Sequence, residues 1–64
     1  MQRNEKFDEI LNAEWVVRIG QTNKAFGQES KGFASDKAKL DALINNLSLD
    51  EMVAYGEYRI QATR

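Results

Sequence analysis

The apolar positions of the chain change their spacing as it runs, and each spacing predicts an element. From about Asn4 to Ile19, Phe7, Ile10, Leu11 and Val17 recur on one helical side with Trp15 at its edge, the 3.6-residue pattern of an amphipathic helix. Asn4 suits the N-cap, and Glu5, Asp8 and Glu9 put negative charge at the end where the helix dipole favours it. Gly20 then stops the helix. Trp15, the single tryptophan, is assigned to the core, with an exposed anchor as the alternative. Glu14 and Arg18 interrupt the apolar side; four residues apart in Glu-to-Arg order, they can pair across one turn. A competing reading ends the helix near Ala13 and makes Trp15-Val16-Val17-Arg18-Ile19 a strand, on its β-branched and aromatic content.

From Gln21 to Ser35 the composition turns to Gly, Ser, Gln, Asn and Lys, and Lys24-Ala25-Phe26-Gly27 is echoed by Lys31-Gly32-Phe33-Ala34. This predicts a short β-hairpin. A turn at Glu29-Ser30 sets Phe26 directly across from Phe33, with Gly27 and Gly32 beside the turn, where positive φ or a bulge is needed. The alternative is a glycine-rich loop without regular pairing.

A second helix follows, with Ser35 as its cap and Leu40, Leu43, Ile44 and Leu47 at i, i+3, i+4 and i+7. Asn45-Asn46 mark its end. Ser48-Leu49-Asp50-Glu51 then has the Ser-x-x-Glu spacing of a capping box, and Leu47 and Met52 occupy the positions of a hydrophobic staple. The third helix so begun carries Leu49, Met52, Val53, Gly56 and Ile60 on one side and frays toward Ala62-Thr63-Arg64. Gly56 costs about 1 kcal/mol relative to alanine inside a helix, so either another backbone approaches there or the helix is ordered on a partner. The fold class expected is α+β, arranged as helix, short β-hairpin, helix, with an additional C-terminal helix. Residues 1–64 form a single small domain, with a helix-hairpin-helix unit at 4–47 and a helical docking segment at 48–64.

A core of this size supplies on the order of 3–5 kcal/mol. Neither cysteine nor histidine is present to reinforce it, which leaves oligomerisation or docking. The chain has no apolar run as long as a signal-peptide core or a membrane span, and the default is a non-secreted protein without membrane association. Nine basic against ten acidic residues give a net charge of −1, with no basic stripe for nucleic acid.

Without His or Cys the usual base and thiol nucleophile are missing, and the adjacent pairs Asp8-Glu9 and Asp50-Glu51 diverge by about 100° on a helix instead of converging on one bond. No enzyme is expected, and no cofactor or metal, since calcium-loop spacing and soft zinc ligands are absent. The Gly27–Gly32 segment lacks a phosphate-loop pattern and leads into Ser35-Asp36, whose charge opposes an anion. A helix-turn-helix reading fails because the third helix would offer Asp50 and Glu51 to DNA phosphates, so sequence-specific nucleic-acid binding is not expected.

What remains is the C-terminal helix. Tyr55, Tyr58, Arg59 and Ile60 are the candidate protein-interaction residues, Tyr and Arg being enriched at interface hot spots. The plain alternative has one tyrosine capping the core and the other solvated.

The N-terminal amphipathic helix, Gly20-Gln21, the two-phenylalanine hairpin and Ser35-Asp36-Lys37-Ala38-Lys39-Leu40-Asp41-Ala42-Leu43-Ile44 together resemble the gpW-like head-to-tail joining proteins of tailed phages, over about residues 7 to 47. That resemblance implies a structural connector of the virion, a homo-oligomeric ring between portal and tail, with portal and tail proteins as partners. The capped third helix departs from that family's C-terminal segment, and no family binding residue is carried over. The second reading, of another class, is a small host-directed regulator or inhibitor that binds one protein in the cytoplasm of the host cell.

Overall fold

A computed structural model describes residues 3–63, and among these the chain forms three helices and no strand: α1 (Glu5–Ala25), α2 (Phe33–Asn45) and α3 (Leu49–Ala62). The expected α+β layout is thereby replaced by an all-helical one. The expected fraying toward Arg64 reaches, at its last residue, outside the described residues.

The correction falls on residues 20–35. Gly20 does not stop α1; the helix runs on through Gln21-Thr22-Asn23-Lys24-Ala25 and also absorbs the Trp15–Ile19 segment read alternatively as a strand. Its end is a Schellman motif. Gly27 takes φ +78°, the Gly27 N–H donates to the Lys24 carbonyl at 3.0 Å, and the Gln28 N–H donates to the Asn23 carbonyl at 2.8 Å. The positive φ assigned to a hairpin turn thus serves as a helix terminator. Gly32, at φ +85°, is the N-cap of α2, three residues before the expected cap Ser35. Phe26 does not face Phe33: it is 81% exposed, while Phe33 opens α2 and is half-buried.

Gly20 has a packing reason inside α1. A Cβ on it would lie 2.5 Å from Cδ1 of Phe33, so the missing side chain is what lets the Phe33 ring against the helix. This contact, together with Leu40, Leu43, Ile44 and Leu47 packing around Phe7 and Ile10, sets α1 and α2 antiparallel.

The caps are local and follow the sequence. The Asn4 side chain accepts from the Phe7 N–H at 3.1 Å. Ser48 and Glu51 form the reciprocal capping box, with the Glu51 N–H donating to Ser48 Oγ at 3.2 Å and the Ser48 N–H donating to Glu51 Oε1 at 2.9 Å. Leu47 turns toward the core while Met52 faces out.

The buried cluster is Phe7, Ile10, Tyr55 and Tyr58. Phe7 sits between the two tyrosines, its ring centroid 5.4 Å from each, in edge-to-face geometry with interplanar angles of 67° and 60°. Leu11, Val17 and Gly20 are buried further along α1, but no residue of α2 is fully buried. Trp15, assigned to the core from sequence, is 51% exposed, because one position beyond Glu14 turns it off the buried side of α1.

Candidate protein-docking surface

The third helix has two apolar faces, and the structure chooses between them. Tyr55, Tyr58 and Ala62 turn inward, whereas Leu49, Met52, Val53 and Ile60, read from sequence as one side of the helix, turn outward with Gly56 between them. Of the four residues named from sequence as contacts, two are therefore core: Tyr55 and Tyr58 are 7% and 8% exposed. Arg59 and Ile60 stay at the surface.

Polar partners on α1 explain why the tyrosine side wins. A thin three-helix core suits long rings that span it, provided each hydroxyl finds an acceptor at the rim. The Tyr55 hydroxyl donates to Glu14 Oε1 at 2.9 Å, and the Tyr58 hydroxyl donates to Asp8 Oδ1 while accepting from the Asn4 N–H at 3.3 Å. Glu14, the carboxylate that interrupted the apolar side of α1, thus has its partner on α3. It also pairs with Arg59 Nε at 3.1 Å, in place of the expected pairing with Arg18. Asp8 pairs with Arg3 at 2.8 Å, and Lys6 bridges to Glu51. Asp8 and Glu51, one from each adjacent acidic pair, are thus held by structural hydrogen bonds.

These bonds set the ionisation of both tyrosines in the chain. Burial, then the hydrogen bond to Glu14, pushes the Tyr55 phenol well above its ordinary value of 10.0. For Tyr58 the hydrogen bond to Asp8 comes first, also upward from 10.0. A pKa raised by folding gives stability that is complete below the unfolded value and disappears as pH rises through the folded one. Tyrosinate absorbance near 295 nm should therefore stay flat past pH ~10 and then rise in one step with loss of the helical circular dichroism signal. Ionisation preceding helix loss would contradict the buried arrangement. In acid the sign reverses. The Tyr58 hydroxyl and then Arg3 hold Asp8 below its usual 3.8, and Lys6 and then the Ser48 N–H hold Glu51 down from 4.5 to about 2. Those contributions are lost as pH falls from about 4.5 toward 2.

The outward face is continuous with α1. Trp15 and Arg18 line an open groove with Gly56, Arg59, Ile60 and Thr63, so the exposed indole and the exposed stripe of α3 form one apolar surface edged by two arginines. Trp15, Leu49, Met52 and Val53 were not singled out as contacts from sequence. The signal for the last three was the stripe Leu49, Met52, Val53, Gly56 and Ile60 itself. Among the described residues, no cluster of three or more acidic side chains could hold a metal, and no helix is long and apolar enough to cross a membrane.

Comparison with protein-family models, with curated proteins and with solved structures finds no match. The connector resemblance thus gains no relative from these comparisons, and the hairpin among the features that carried it is replaced by a helix end, a loop and a helix start.

Proposed function

We propose that this chain is a non-catalytic protein-binding module that docks through the outer face of α3 and the adjoining Trp15. Docking to a protein is the element shared by the connector and regulator readings of the sequence. One observation carries it: four large apolar side chains of a single helix, Leu49, Met52, Val53 and Ile60, stand between 48% and 80% exposed in one stripe. Scattered surface hydrophobics are ordinary, but a contiguous stripe flanked by tryptophan and arginine has the make-up of an interface centre.

A photo-reactive amino acid placed at Val53, in cells producing the chain, tests this. It should capture protein efficiently, and Met52→Glu in the same chain should abolish capture. The same probe at Asp41, exposed on α2, should capture little. Equal capture from the two positions, or none from Val53, would remove the reading.

A further inference from the structure

The outer face of α3 is ordered about Gly56. At 100° per residue, Leu49, Met52, Val53 and Ile60 all fall within about 60° of Gly56 around the helix axis. Glycine is unfavourable inside a helix, and nothing among the described residues asks for it here. Among the described residues a Cβ at Gly56 would meet no atom within 4 Å, and unlike Gly27 and Gly32 it has no positive φ. A bare backbone in the middle of an exposed apolar stripe lets a second helix come close.

The register of the stripe indicates which helix. A twofold axis through Gly56, relating two antiparallel copies of α3, sets each position level with the one equally far beyond the glycine, so Met52 packs beside Ile60. The second copy's Met52 then lies over the groove of about 460 Å³ lined by Trp15, Gly56, Arg59 and Ile60. An unbranched thioether suits such an irregular groove and makes favourable contact with an aromatic ring. The same contact is made twice, once in each direction.

We propose that the occupant of this face is a second copy of the chain, its α3 lying antiparallel across Gly56. The proposal rests on the docking reading above and names its partner. The exposed side chains offer on the order of 500 Å² of apolar surface per copy, at the low end of stable interfaces. The two Glu57 carboxylates come to the same rim of the contact and repel, which keeps the dimer weak and reversible. Its dissociation constant is expected to be roughly micromolar.

The chain contains no cysteine, so single-cysteine variants report contacts without background. Gly56→Cys, on the axis, should oxidise to a covalent dimer about tenfold more readily than Asp41→Cys on the exposed side of α2, which measures random collision. Met52→Cys alone should stay monomeric, while an equimolar mixture of Met52→Cys and Ile60→Cys should yield the mixed disulfide. Sedimentation equilibrium of the unaltered chain should show a monomer–dimer equilibrium that Met52→Glu removes without loss of helical signal. The proposal is overturned if Gly56→Cys links no faster than Asp41→Cys, if Met52→Cys self-links as well as the mixture does, or if the unaltered chain is monomeric at all concentrations. A monomeric chain that still captures a different protein from Val53 overturns the second copy alone; failure of capture from Val53 together with a monomeric chain overturns the docking reading as well.

Discussion

Ile10→Ala is expected to abolish cooperative folding at 25 °C. Ile10 is 1% exposed, the most deeply buried large side chain among the described residues, and it sits where Phe7, the two tyrosines and the half-buried side of α2 meet. Truncating a fully buried isoleucine costs about 2–5 kcal/mol, because the cavity left behind collapses only in part. A core of this size supplies on the order of 3–5 kcal/mol in total. The loss is therefore comparable to the whole stability, and α2 has no fully buried residue with which to absorb it. Thermal or urea unfolding followed by circular dichroism should show no sigmoidal transition. Retention of most of the wild-type stability would mean that the cluster around Ile10 is not the centre of the fold.

Ending the chain after Leu47 should have an equally large effect. The sequence pattern suggests that residues 4–47 can close by themselves, leaving 48–64 as an added docking segment. The side chains of α3 say otherwise, since Tyr55 and Tyr58 are half of the buried cluster. Without them Phe7 loses both edge-to-face partners and Ile10 its cover, while Glu14 and Asp8 lose the hydroxyls that satisfy them. Removing even one core aromatic costs about 3–5 kcal/mol. The isolated helices left behind are marginal in water at these lengths. The truncated chain should show weak, gradually melting helical signal, and Met52→Glu in the full chain, which alters only the outer face of α3, should melt like the unaltered protein at concentrations low enough to keep both monomeric. A cooperative transition in the truncated chain would restore the division at Leu47.

What could be read in advance was what depends on near neighbours. The Asn4 cap, the Ser48–Glu51 box, the buried side of α1 at Phe7, Ile10, Leu11 and Val17, and the apolar side of α2 all follow from spacings of a few residues. The hairpin failed because Gly27 with positive φ terminates a helix as well as it turns a strand, and the Lys-Phe echo cannot tell these apart. Gly20 misled for a related reason. Its use is a close approach to Phe33, thirteen positions ahead, and no local pattern records that.

The α3 helix shows the harder limit. With apolar residues on both sides, its orientation is decided by which side finds its polar needs met, and that information lies on α1 at Asp8 and Glu14. Glu14 in the middle of an apolar stripe was a legible oddity whose partner, Tyr55, is 41 residues away. The same decision turned two named contact residues into core and left the stripe through Gly56 exposed.

The claim that α3 is split into a core face and a docking face is tested most directly by a concentration series of amide and indole NMR spectra. Across the micromolar to millimolar range, shifts should move at Leu49, Met52, Val53, Gly56 and Ile60 and at the Trp15 indole, while Phe7, Ile10, Tyr55 and Tyr58 hold still. Spectra unchanged by concentration, or shifts concentrated on α2 or at the tyrosines, would contradict it.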